Sequence, residues 1–106
     1  MASDLLQLLD SLAKRPQVYV APPVCYATVK SYLNGLAGGL THAGIEYRWD
    51  DYRAAAEARG WDPRGSIGIL RDFLGKGLTE EQTIQELIAV ETAAYEIAMA
   101  RANTPT

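Results

Sequence analysis

A long helix closes this chain. Thr79 and Gln82 stand in the Thr-x-x-Gln spacing of a capping box, in which the hydroxyl accepts an N–H three residues on and the amide reaches back. At about 100° per residue, Ile84, Leu87, Ile88, Ala94, Tyr95 and Ala98 share one sector of this helix, which runs to about Ala100. Val90 and Ile97 widen the apolar surface beyond one face, as suits a helix at the centre of a bundle or at a dimer seam. Five glutamates (Glu80, Glu81, Glu86, Glu91, Glu96) precede its only basic residue, Arg101.

The rest of the chain supplies short helices to surround it. Ser3 or Asp4 can cap a first helix with Leu5, Leu8, Leu9 and Leu12 on one face, and Pro16 ends it near Arg15 because the residue before a proline is pushed out of helical geometry. Pro16 to Pro23 reads as an extended connector, whose Val18 and Val20 can pair as one minor strand with Ile45–Trp49. A second helix from Val24 to Ala43 aligns Cys25, Val29, Leu33, Leu36 and Leu40, with a bend or break predicted at Gly38-Gly39 and a close helix approach at Gly35 and Gly39. Asp50 caps a third helix through Arg59, which Gly60 ends with Trp61 in the apolar position of a Schellman motif. Ser66 caps a fourth, bearing Ile67, Leu70, Phe73 and Leu74. The expected fold is therefore all-α: a compact bundle of about five helices with short loops, one domain over residues 1–102 and a flexible tail at 103–106.

Composition agrees. A chain of 106 residues with 48% apolar and 22% charged residues can build a core without metals or disulfides. The lone Cys25 suits a reducing compartment, and no signal peptide or membrane span is evident, so the expected location is cytoplasmic. The formal charge of −3 is unevenly distributed: residues 1–78 carry nine Lys/Arg against eight Asp/Glu, residues 79–106 one against five. Acid gathered on one helix favours a partner with a basic surface and disfavours nucleic acid.

Signals for catalysis are absent from the pattern. His42 is the only histidine and falls opposite the apolar stripe of its helix, while Cys25, on that stripe, is about five turns away. No Cys-x-x-Cys, helical His pair or alternating acidic loop suggests a metal. Gly35–Gly39 and Gly65–Gly68 follow no convincing strand and lack the P-loop lysine. No catalytic, cofactor-binding or metal residue is assigned, and the expected protein is not an enzyme.

Two features point to binding instead. Glu91 falls inside the apolar sector of the last helix, where an unpaired carboxylate is costly. Either Arg71, Arg53 or a tyrosine hydroxyl satisfies it internally, or a partner's Arg or Lys does. Tyr47, Trp49, Tyr52 and Trp61 are interleaved with Arg48, Arg53, Arg59 and Arg64, a mixture found in protein interfaces. Trp61 reads as core, whereas Trp49 and Tyr52 stay open. Interspersed acids cancel much of the charge, against a nucleic-acid groove. The candidate partner-binding residues are Trp49, Tyr52, Glu80, Glu81 and Glu91.

Arg15-Pro16-Gln17-Val18-Tyr19-Val20 resembles the Arg-Pro-x-Met-Tyr-type signature near the start of some small bacterial immunity-like proteins, which neutralise toxins in interbacterial competition. There a helix ending around a glycine follows, here Tyr32–Gly35, then a Trp-containing segment and an acidic C-terminal helix, here Trp49–Trp61 and Thr79–Ala98. The likeness covers residues 13–98 in order and spacing, and Gln17-Val18 departs from the usual Gly-Met. It implies an intracellular, non-enzymatic protein that binds and blocks a toxin; no site residue is carried over from it. The expectation is an immunity or inhibitor protein, with a self-associating helical module (a homodimer) as the alternative and a small enzyme a distant third.

Overall fold

The computed structural model describes residues 2–65 and 67–102, so the expected tail at 103–106 and the Ser66 cap lie outside the described residues. Among the described residues six helices follow one another: α1 (Ala2–Lys14), α2 (Pro16–Tyr19), α3 (Tyr26–His42), α4 (Trp49–Ala58), α5 (Leu70–Gly75) and α6 (Glu80–Ala102). No strand occurs among the described residues. The fold is an all-α bundle in which α1, α3 and α4 pack against α6.

The central place of α6 explains its wide apolar surface: Ile84, Leu87, Ile88, Val90, Ala94, Tyr95 and Ala98 are all buried. Its start is the capping box read from sequence, Gln82 N–H donating to Thr79 Oγ1 at 3.1 Å and Thr79 N–H to Gln82 Oε1 at 2.8 Å. Ala55 and Ala56 of α4 and Ala94 of α6 are buried, and α4 packs against α6.

Three local expectations are corrected. The connector after Pro16 is a helical turn rather than a strand, because Pro16 sits at N1 of α2, where its missing N–H costs nothing; Val20 points inward and Val18 stays exposed. Helix α4 begins at Trp49, one residue before the expected Asp50 cap, and the carboxylate that reaches back is Asp51, accepting Arg48 N–H at 2.8 Å. Helix α3 runs through Gly38-Gly39 without a break, and a Cβ added at Gly35, Gly38 or Gly39 would meet no atom within 4 Å, so no helix approaches there. All three glycines face solvent and only weaken the helix. Gly38→Ala and Gly39→Ala are therefore expected to stabilise the fold by about 0.5–1 kcal/mol each, read from urea unfolding midpoints.

Helix α4 ends as its sequence indicates. Gly60 takes φ +85, Trp61 N–H donates to Ala56 O at 2.9 Å, and the Trp61 ring is buried edge-on against Phe73 at 4.8 Å.

Candidate protein-binding surface and buried carboxylate

Glu91 is only 2% exposed, so its carboxylate is an internal group. Its donor is a tyrosine hydroxyl and not an arginine. Tyr47 O–H points at both oxygens, at 2.8 Å from Oε1 and 3.0 Å from Oε2. Tyr47 lies in the segment between α3 and α4, so the bond ties that irregular stretch to the central helix. Burial raises the Glu91 carboxyl above its ordinary value, while the Tyr47 hydrogen bond and the Lys30 charge pull the other way. Burial, reinforced by the Glu91 charge, also pushes up the phenols of Tyr26, Tyr47 and Tyr52, and that of Tyr95 to about 12.

The rings form a connected series. Tyr95 meets Tyr47 edge-on at 4.9 Å; Tyr47 lies near-parallel to Tyr52 at 5.8 Å, and Tyr52 near-parallel to Trp49 at 6.1 Å. Tyr52 is buried, whereas Trp49 is 52% exposed. The first turn of α4 is clamped from below: the buried Asp51 holds Arg48 N–H with one oxygen and the Arg101 guanidinium with the other. These donors hold the Asp51 carboxyl below its usual range, the Arg48 N–H first and then Arg101.

The five candidate residues do not form one patch. Through Asp51 and Arg101, Trp49 lies at the C-terminal end of α6; Glu80 and Glu81 occupy its first turn, about 30 Å away along the helix axis. Glu91 and Tyr52 are buried, so of the five only Trp49, Glu80 and Glu81 present surface to a partner in this conformation. The acidity of α6 is also largely engaged within the fold. Glu80 Oε1 accepts the Tyr26 N–H at the start of α3. Glu86 accepts two bonds from Arg59, at 3.0 and 2.6 Å, and the Trp61 indole N–H at 2.9 Å, which hold its carboxyl below the ordinary range. Glu81 and Glu96 stay exposed.

A cleft of about 480 Å³ beside the first turns of α6 is lined by Trp61, Leu78, Glu81, Gln82, Gln85 and Glu86. Its polar groups are mostly committed: Glu86 to Arg59, Gln85 to the Ala13 carbonyl at 2.7 Å, and Gln82 to the Thr79 cap. Cys25 and His42 sit at opposite ends of α3, with Cys25 at the N-cap, where the Thr28 backbone and hydroxyl lower the thiol below its ordinary value. Among the described residues no group of His, Cys, Asp and Glu is arranged to hold a metal ion, and no helix is long and apolar enough to cross a membrane.

What sequence reasoning missed is Lys30 and the pairing of Tyr47, one of the interleaved aromatic residues, with Glu91. Lys30 places its ammonium 5.7 Å from the centre of the Tyr52 ring and is the cation that acts on Glu91. Neither carries a local signal; only their position in the assembled bundle gives them a role. Compared with protein families, curated proteins and solved structures, the chain matches none.

Proposed function

We propose that this chain is a non-enzymatic protein-binding module that neutralises another protein in the cytoplasm, as an immunity or inhibitor protein does a toxin. The observation that carries the reading is Trp49: half its surface is open to solvent while its ring rests on a buried tyrosine and its helical turn is clamped by Asp51. A large aromatic side chain fixed before binding loses little entropy on contact, which is how interface anchors earn their affinity. Exposed Arg48 and Asp50 flank it and supply the polar rim. The resemblance of Arg15–Val20 to the immunity-type signature supports the same reading.

The partner's basic surface is a weaker part of this reading than the charge count implied, since Glu80, Glu86 and Glu91 are engaged within the fold. Glu81 is the carboxylate of the α6 first turn that we assign to such contact. The case for self-association also loses its motive. The broad apolar surface of α6 is covered by its own bundle, leaving Ile97 at 36% exposure as its one exposed large apolar residue among those described.

The test is retention of a binding partner from the source organism on the immobilised chain. Trp49→Ala is expected to lower retention at least tenfold while changing stability by less than about 1 kcal/mol, as for a half-exposed anchor. Equal retention by the variant, or no protein held in stoichiometric amount by the parent chain, overturns the reading.

A further inference from the structure

We infer that the cleft between the end of α1 and α2 binds an acidic segment of a partner protein: Arg15 and Lys14 take its carboxylates, and Val18 takes an apolar side chain beside them. One helical turn builds the site. Helix α1 ends at Lys14 and Pro16 opens α2, so Arg15 is the single residue between two helices. Its backbone is held on both sides, Arg15 N–H on the Ser11 carbonyl at 2.9 Å and its own carbonyl accepting the Val18 N–H at 3.1 Å. Val20 N–H closes the turn on the Pro16 carbonyl at 2.9 Å. Because Val20 is buried, the turn is fixed to the core, and Val18 is left outward at 65% exposure. Tyr19 rests against Tyr32 of α3, with ring centres 6.2 Å apart. Ser11, Lys14, Arg15, Val18 and Tyr19 together line about 410 Å³, a volume on the scale of small-ligand pockets.

Charge complementarity fixes the occupant. The lining holds two cations and no carboxylate, on a chain whose net charge is −3. The clefts beside α6 are lined instead by Glu81 with Glu86, or by Glu80 and Glu81 with Lys14. Arg15 is exposed and makes no ion pair among the described residues, so its paired N–H donors are free for a bidentate carboxylate. Lys14 reaches Asp10 at 2.9 Å, but both side chains of that pair are mostly exposed, so the contact is worth little and yields to a better placed anion. The Ser11 and Tyr19 hydroxyls have no hydrogen-bond partner among the described residues and add two donors. Val18 is the most exposed large apolar side chain among those described. A bare anion leaves it in water, whereas an aliphatic side chain next to the carboxylate covers it. A nucleic-acid strand needs a continuous basic track, and Asp10, Glu80 and Glu81 interrupt one around Lys14.

This surface is separate from Trp49. The Gln85 amide donates to the Ala13 carbonyl at 2.7 Å, which sets the end of α1 beside the first turns of α6, while Trp49 lies at the C-terminal end of α6. The inference goes beyond the reading built on Trp49, and it is tested without that partner.

The test is an NMR titration of the full nitrogen-15-labelled chain with the capped peptide acetyl-Gly-Glu-Val-Glu-Gly-amide. Saturable shifts are expected at the amides of residues 11–19 and at Arg15 Nε–H, with an affinity that falls as salt is added. Exchanging both peptide glutamates for glutamine is expected to weaken binding at least about tenfold, and exchanging its valine for glycine about threefold. Arg15→Gln is expected to match the first loss and Val18→Ser the second. Arg15→Lys, which keeps the charge without the fork, falls between Arg15→Gln and the parent. Both side chains are exposed, so these variants keep the melting temperature of the parent. The absence of saturable shifts, shifts centred on Arg64, Arg71 and Lys76 instead, equal binding of the glutamine peptide, or parental affinity in Arg15→Gln overturns the inference. Trp49→Ala leaves this titration unchanged, so a failure of the Trp49 surface and a failure of this cleft are read separately.

Discussion

Tyr47→Phe is expected to cost about 2–4 kcal/mol where Glu91 is ionised and about 1 kcal/mol where it is protonated, because the loss depends on the charge of the group left behind. The ring itself is retained, with its stacking on Tyr52 and its edge contact with Tyr95, so the packing change is small. What disappears is the hydroxyl that serves both oxygens of Glu91. At high pH this strands a buried carboxylate; at low pH the carboxyl takes up a proton and the demand for a donor falls. For a chain of this size, a loss of 2–4 kcal/mol lowers the melting temperature by roughly 10–25 °C. Urea unfolding of both chains across a pH series measures the contrast, and a loss that does not grow as pH rises rejects it. The parent chain should show a related asymmetry. Stability linked to Glu91 is present at low pH and lost as pH rises through its folded value. Stability linked to Asp51 and Glu86 is present above their unfolded values and lost as pH falls through their depressed ones.

The history of Glu91 shows where sequence is legible and where it stops. Helical periodicity alone placed a carboxylate inside an apolar sector, because spacing along one helix is a local property, and the structure buries it there. Its donor is 44 residues away, and no periodicity connects the two. The same divide separates the caps from the connectors. Thr79-Gln82 and Gly60-Trp61 are motifs whose bonds close within a few residues, and both form as read. Pro16 has two opposite uses, ending α1 and opening α2; the second depends on Val20 finding the core, a tertiary matter. The glycines of α3 lower intrinsic helicity, yet α3 is held by Val29 and Leu33 packed inside, so propensity yields to burial. For the candidate surface, composition identified Trp49 and Tyr52 together. Only the fold separates the exposed anchor from the buried ring beneath it.

Phe73→Ala is expected to be the most damaging single truncation, at about 3–5 kcal/mol for a fully buried phenylalanine. The size follows from what the ring holds. Helix α5 has six residues, too few to persist by its own hydrogen bonds, and it follows a turn with glycines at φ +98 and φ +59. The Phe73 ring joins α5 to Trp61 edge-on at 4.8 Å and to Tyr26 of α3 at 6.2 Å. Polar contacts alone cannot replace it. Asp62 N–H donates to Asp72 at 2.6 Å, but the ion pairs of Asp62 with Arg64 and Arg71 are largely exposed and each is worth little. Without the ring, residues 61–78 lose their anchor, so their amides should exchange with solvent faster than those of α6, which keeps α1 and α4 against it. A urea series combined with hydrogen exchange reads both effects, and a loss below 1 kcal/mol would show that α5 is held by something other than Phe73. The functional consequence is separable. Trp49 and its clamp lie at the opposite end of α6 from the Trp61 cleft, so the variant, studied below its melting temperature, is expected to keep its partner while Trp49→Ala does not.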